Sequence, residues 1–321
     1  MDPLSEVLSL LRTRSYVSSG FRAGGEWSLH FALKDDVIKC YAVEAGGCWL
    51  AVDGIGERVR LEAGDCFVLP SGRPFRLASD LTLSPMDSKA VFPPALPGGT
   101  VTLNDGRDLL LVGSRFTVAG RHAGMLLKMM PPIVHIRKDV DQAALRWSVA
   151  RMREELRDGQ PGGALIAQQL AHMMLVQALR LHLLEGVHEP GWFAALTDTR
   201  LCAAISAMHA NPAVRWTLQE LAAEAGMSRS VFAQRFREAA GETPLEYLTR
   251  WRMLLAGEEL EVGRSVSAIA PALGYASESA FTSAFKRVMG CTPRDYLNKS
   301  KTRLPLQAAQ TGRDTHRRLR G

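Results

Sequence analysis

Cysteine is scarce: the 321 residues hold five, Cys40, Cys48, Cys66, Cys202 and Cys291, an odd number without a C-x-x-C pair. That excludes a disulfide framework and the paired-cysteine clusters of zinc ribbons, and it fits a reducing compartment. A long apolar run is also missing. The nearest approach, 164–184, is broken by Gln168, Gln169, His172, Gln177, Arg180 and His182, side chains that are costly in lipid. It reads as a buried soluble helix, and no membrane partner is expected. The chain opens M-D-P-L-S-E, with an acid where a secretory leader carries positive charge. No export signal is expected, so the expected location is the cytoplasm.

Acidic residues are sparse in one part only. Residues 1–199 hold 21 Lys and Arg against 22 Asp and Glu, whereas residues 200–321 hold 18 against 11, so the net +6 is the sum of −1 and +7. A local positive excess attracts a polyanion, because neutralised phosphates supply the sequence-independent share of nucleic-acid affinity. At 46% apolar and 22% charged residues the chain folds, and its length gives a prior of two domains.

The basic part contains an internal repeat. L-A-A-E-A-G-M-S-R-S-V-F-A-Q-R-F-R-E-A-A-G-E-T-P-L-E-Y-L (221–248) recurs as I-A-P-A-L-G-Y-A-S-E-S-A-F-T-S-A-F-K-R-V-M-G-C-T-P-R-D-Y-L (269–297). Leu221, Ala222 and Gly226 match Ile269, Ala270 and Gly274; Phe232, Phe236, Gly241, Pro244 and Tyr247 match Phe281, Phe285, Gly290, Pro293 and Tyr296, one residue further on. Two copies are too few for a solenoid.

Each copy carries the parts of a helix-turn-helix. Thr217-x-x-Glu220 is a capping box that opens a short helix, and Gly226 supplies the left-handed backbone that ends it. A second helix starts after Ser228. Phe232 and Phe236, four residues apart, share its inward face and leave the opposite face polar. Gly241 ends that helix, and Thr243-Pro244-Leu245-Glu246 caps the next, with proline at the first helical position; the same cap recurs at Thr292-Pro293-Arg294-Asp295. The helix begun at Pro244 runs to about Glu261, about 26 Å at 1.5 Å per residue. With flanking turns it can hold two reading helices the ~34 Å apart that successive major grooves require. An ordinary helical domain accounts for the buried phenylalanines but not for the duplication, the polar outward faces and the local charge.

The stretch 216–297 resembles the double helix-turn-helix DNA-binding domain of the AraC/XylS family of bacterial transcription regulators, and G-Y-A-S-E-S-A-F-T-S-A-F-K-R-V-M-G-C-T-P-R-D-Y-L is similar to that family's signature over its whole length. Pro271, inside the first helix of the second copy, departs from the first copy's Ala223; a helix capped at Ser267 rather than Ser265 would lose a single hydrogen bond to it.

From 38 to 118 short apolar stretches alternate with turn signals such as Gly46-Gly47, Asp53-Gly54 and Asp105-Gly106, which predicts a sandwich or barrel. G-D-C-F-V-L-P-S-G-R-P-F (64–75) resembles the second motif of cupin barrels, and 27–137 is similar to the cupin sensor domain of one branch of the same regulators. Where cupins commonly place metal-binding histidines this chain has Phe75 and Tyr41. His30, His122 and His135 have no mutual spacing that marks a metal site, and the pair His182-x-x-Glu185 is too few ligands for one. No metal, no cofactor and no catalytic residue are expected; a barrel enzyme and an RNA-binding protein are the weaker alternatives, the second lacking exposed aromatic stacking platforms. After Asp139 a helical pair follows, its second member apolar around much of its circumference, which points to a homodimer.

The expected fold class is multidomain α+β: an N-terminal cupin-like β-barrel with a helical pair and a C-terminal all-α double helix-turn-helix. The expected boundaries are 1–189 for sensing and dimerisation (barrel about 20–137, helices about 139–186), 190–298 for the DNA reader, and 299–321 for a basic disordered tail. The resemblance implies a transcription regulator whose partners are double-stranded promoter or operator DNA, a small-molecule effector, a second copy of the chain and RNA polymerase. Arg229, Ser230 and Gln234, with Ser279, Thr282 and Ser283, are the candidate base readers; Arg237, Lys286 and Arg287 are the candidate phosphate contacts. Tyr41, Trp49 and Phe75 are the candidates for an effector site inside the barrel.

Overall fold

The computed structural model describes residues 2–10, 12–32, 37–70, 72–92, 99–119, 125–127, 130–137, 143–158, 160–184 and 191–301. His122, Glu185, residues 188–190 at the expected domain boundary and the tail from 302 onward lie outside the described residues.

After helix α1 (Pro3–Leu10), the N-terminal half is a sheet of ten strands among the described residues: β1 (Arg12–Ala23), β2 (Ser28–Phe31), β3 (Val37–Val52), β4 (Arg58–Glu62), β5 (Cys66–Leu69), β6 (Phe75–Ala78), β7 (Met86–Asp87), β8 (Thr100–Leu103), β9 (Leu109–Ala119) and β10 (Val134–Ile136). The order β7-β2-β6-β3-β9-β1-β8 is mostly antiparallel, and the long β3 holds it together by also pairing with β4 and β5. Phe21, Leu29, Phe31, Val43, Leu50, Phe67, Phe75, Leu77 and Leu111 form its inner core. Strand alternation sends one residue in and the next out, so Ile38, Cys40, Val68 and Val112 are buried on the other side.

That outer side is covered by α2 (Ala143–Asp158) and α3 (Gly163–Leu184), α3 lying along β1, β5 and β10. Leu145, Val149 and Met152 of α2 are buried, as are Ala167, Leu170, Ala171, Met174, Leu175, Ala178 and Leu179 of α3, spaced as one stripe of a 3.6-residue helix. Leu175 and Leu179 therefore belong to the subunit's own core. The apolar surplus lies elsewhere, at Trp147, Leu165 and Ile166, which are exposed.

The C-terminal half is helical: α4 (Trp192–Ala195), α5 (Thr199–Ala210), α6 (Leu218–Glu224), α7 (Arg229–Ala240), α8 (Pro244–Glu261), α9 (Val266–Ala272), α10 (Glu278–Met289) and α11 (Pro293–Lys301). By internal contacts the chain divides into two compact units, one comprising 1–211 with 216–248 and the other 212–215 with 249–321. The first helix-turn-helix thus groups with the barrel and α3, the second with its own surroundings. Among the described residues no helix is long and apolar enough to cross a membrane.

Candidate functional site

The two helix-turn-helix copies are built by the same local chemistry. Thr217 Oγ1 accepts from the Glu220 amide at 3.2 Å while Glu220 Oε2 accepts from the Thr217 amide at 2.7 Å, a complete reciprocal cap on α6. Ser228 caps α7 and Ser277 caps α10. The left-handed positions expected of glycine hold, with φ of 60° at Gly226 and 80° at Gly274, then 77° at Gly241 and 72° at Gly290. Thr243 and Glu246 repeat the cap on α8, as Thr292 and Asp295 do on α11.

Behind each reading helix lies an aromatic triad. Phe232 and Phe236 are fully buried, and Phe236 meets the Tyr247 ring edge-on at 5.7 Å; Phe281 and Phe285 are fully buried, and Phe285 meets Tyr296 at 5.4 Å. This inward anchoring aims the opposite faces at solvent. Arg229, Ser230, Gln234 and Arg237 are exposed on α7, and Ser279, Ser283, Lys286 and Arg287 on α10; Thr282 is half-buried.

Three features of this face escaped the sequence reading. Gln234 Nε2 donates to Glu238 Oε1 at 2.9 Å, so the amide must release a carboxylate before it can meet a base. Val231, one residue beyond Ser230, is 51% exposed, an apolar side chain of the kind that contacts a thymine methyl. Arg235 is held back by Asp198, its Nε 2.5 Å from the Oδ2 of the residue that caps α5. Exposure at the start of the helix would have revealed Val231; the two polar contacts depend on rotamers and on a partner 37 residues away.

The copies differ in what their tyrosines touch. Tyr247 O–H lies 2.7 Å from His209 Nε2, and His209 Nδ1 lies 2.8 Å from Glu6 Oε2 on α1. A neutral ring that donates from Nδ1 to Glu6 and accepts at Nε2 from Tyr247 satisfies all three groups. Burial pulls the His209 imidazole down to about 3, consistent with that neutral form, and raises the Glu6 carboxyl. Tyr296 O–H instead donates to Glu261 at 3.2 Å. In the second copy Arg252 donates to the carbonyls of Pro212 and Val214 at 2.6 and 2.7 Å, and its guanidinium lies over the Tyr275 ring. Pro271 stays inside α9, which is capped at Ser265 rather than at Ser267 and ends one residue past the proline.

The barrel residues separate. Tyr41 and Phe75, at the positions where cupins commonly bind metal, meet on the inner side with ring centroids 6.2 Å apart. Trp49 does not join them. A bulge between Val43 and Ala45 shifts the alternation of β3, so that Cys48, Leu50 and Val52 point inward and Trp49 packs outward beneath Arg60. His30 faces Asp53 at 3.3 Å and His135 faces Asp65 at 3.0 Å, and they do not converge.

Comparison with known proteins decides the family. A cupin family model matches residues 2–184 and a helix-turn-helix domain model matches residues 221–299. An AraC-like transcription regulator of Streptomyces lividans is 43% identical over 281 residues, spanning 87% of this chain and 92% of that protein. The chain belongs to the AraC-like transcription regulators. The RCS-specific activator RclR of Escherichia coli K12 is 30% identical over 280 residues, 87% of this chain and 90% of its own. Among solved structures, the DNA-binding domain of AdpA in complex with a target DNA is 32% identical and covers 32% of this chain and 94% of that one, with a TM-score of 0.30. This AraC-like chain is therefore a DNA-binding transcription regulator with a cupin N-terminal domain and a helix-turn-helix C-terminal domain.

Proposed function

We propose that this regulator acts by binding, not chemistry: α7 and α10 enter duplex DNA, and a small-molecule effector in the barrel sets whether they do so productively. The observation that carries the reading is the duplicated aromatic triad, which turns two polar faces outward from the basic part of the chain. We assign base contacts to Arg229, Ser230 and Gln234 in the first copy and to Ser279, Thr282 and Ser283 in the second, because base edges are reached from the N-terminal part of a reading helix. Arg237, Lys286 and Arg287, further along, take phosphates. Residues 1–189 form the sensing part, 190–298 the reader, and the tail 299–321 adds unspecific attraction to phosphate. The protein works in the cytoplasm as a homodimer, joined through the face of α2 and α3 that exposes Trp147, Leu165 and Ile166, and contacts RNA polymerase. An effector alters DNA binding only to the extent that it binds the two states differently.

A mobility-shift titration of the full chain on genomic DNA tests this. The expected result is affinity that falls steeply as salt rises and that is lost when Gln234→Ala and Lys286→Ala are combined; unchanged binding by the double variant overturns the assignment.

A further inference from the structure

Arg235 is tied at one point only. Its Nε donates to Asp198 Oδ2 at 2.5 Å, and among the described residues it makes no other hydrogen bond or ion pair, so both terminal nitrogens of the guanidinium stay open. The partners are unequally placed, the Asp198 side chain being 15% exposed and that of Arg235 54%. Asp198 is itself fixed. Its other oxygen, Oδ1, accepts from the amides of Arg200 and Leu201 at 3.0 and 3.4 Å and so caps α5. A carboxylate at that place lies in the positive field of a helix N-terminus, which offsets its charge. What the pair shows to solvent is the cationic fork of Arg235, held at its root by a residue outside both helix-turn-helix copies.

Helix geometry gives the fork a direction. With 3.6 residues per turn each position advances about 100°, so Arg235 stands one turn beyond Val231 on the same flank of α7, and Arg237 is turned about 200° away from it. Both arginines are exposed, and they leave the reading face of Gln234 on opposite sides. Glu238, three residues after Arg235, is engaged by the Gln234 amide instead.

We propose that Arg235 is a further phosphate contact of α7 and that Asp198 is its positioning residue: bonded at Nε, the guanidinium turns its two terminal nitrogens to a phosphate on one wall of the major groove, while Arg237 meets the other wall. This rests on the reading of α7 as a helix that enters DNA, and it extends the reader to α5. A guanidinium grips phosphate through two parallel N–H groups, which an ammonium cannot do. A free arginine gives up its rotamer freedom on binding, whereas one already held by Asp198 has lost much of it in the fold. The restraint therefore raises affinity even though it brings a negative charge toward DNA. A carboxylate that merely neutralised Arg235 would do the reverse, so the two roles differ in sign.

Fluorescence anisotropy of the full chain on a duplex, over a series of salt concentrations, reads that sign. Asp198→Asn keeps an oxygen for the α5 amides, since asparagine caps as well as aspartate, but loses the acceptor for Nε. It should weaken binding about three- to tenfold although it makes the chain more positive. Arg235→Ala should lower the slope of log affinity against log salt by about one, and in that background Asp198→Asn should change affinity by less than about twofold, because the aspartate acts through the arginine. Tighter or unchanged binding with Asp198→Asn, or the same loss from it with and without the Arg235 side chain, overturns the proposal. So does an unaltered salt slope with Arg235→Ala, which decides the matter if Asp198→Asn does not fold. A wild type that binds no duplex overturns the reading of α7 and this contact together, whereas wild-type binding with any of the other contrary results overturns the contact alone.

Discussion

The two helix-turn-helix copies share a core and differ in their ties. Phe232, Phe236 and Tyr247 reappear as Phe281, Phe285 and Tyr296, equally buried and similarly spaced. Yet Tyr247 is bonded through His209 to Glu6, 203 residues away in sequence from that histidine, whereas Tyr296 donates to Glu261, 35 residues away. The turn glycines differ as well. A Cβ on Gly226 would meet nothing within 4 Å, while one on Gly274 would lie 2.2 Å from the carbonyl oxygen of Ala213. Duplication preserved the apolar core, which any copy needs, and let the polar attachments diverge toward different neighbours.

The largest effect that would break this comparison is expected at His209. His209→Ala leaves the Tyr247 hydroxyl and the Glu6 carboxylate without their shared partner inside a packed region and should cost about 2–4 kcal/mol by urea unfolding, against less than about 1 kcal/mol for Glu261→Gln beneath the second copy. Equal costs would mean that the two ties are equivalent. The same residue sets a pH dependence. Between the unfolded value near 6.5 and the folded value of about 3, the unfolded imidazole binds a proton that the folded one refuses, so this contribution is fully present above 6.5 and is lost as pH falls. The Glu6 carboxyl, raised by burial, works in the opposite sense over the carboxylate range. His209→Asn should flatten the loss of stability seen between about pH 6.5 and pH 5.

Next in size is the pair of glycines. Gly226→Ala meets only the penalty of a left-handed backbone, about 1–2 kcal/mol, whereas Gly274→Ala adds a backbone overlap and should cost at least about 1 kcal/mol more. Thermal unfolding of both variants decides it. Equal shifts would show that the approach to Ala213 is relieved without cost.

How far the sequence foretold all this depends on range. The caps at Thr217, Thr243 and Thr292, the four left-handed glycines and the paired phenylalanines were legible because each is decided within about four residues by helix geometry. The orientation of Trp49 was not, since a single bulged residue at 43–45 reverses every later side chain of β3 and leaves no mark in an apolar pattern. The second helix of the pair was expected to support a homodimer through its wide apolar surface; its Leu175 and Leu179 pack inside their own subunit, because α3 is apolar on several faces and only the sheet beneath selects one. Ser267 looked as good a cap as Ser265; in the fold the two hydroxyls bond to each other and the Ala268 amide reaches Ser265. Contacts such as His209 to Glu6 depend on tertiary placement and have no local signature.

Smaller effects concern DNA. Lys286→Ala removes the proposed phosphate contact of the second copy and should weaken all duplexes alike, lowering the slope of log affinity against log salt by about one. Glu238→Ala frees the Gln234 amide and should strengthen binding to the preferred sequence by about 0.5–1 kcal/mol, read by fluorescence anisotropy. Weakened binding would show that Glu238 positions Gln234 for the base.

The proposed division of labour that matters most sets Gln234 on a base and Lys286 on a phosphate. Binding-site selection from a random duplex library tests it most directly, with the wild type, Gln234→Ala and Lys286→Ala run side by side. Gln234→Ala should relax the preference at one or two base pairs, a loss of about 1–3 kcal/mol of discrimination, and Lys286→Ala should return the wild-type sequence from a weaker pool. An unchanged preference with Gln234→Ala, or a shifted one with Lys286→Ala, would contradict it.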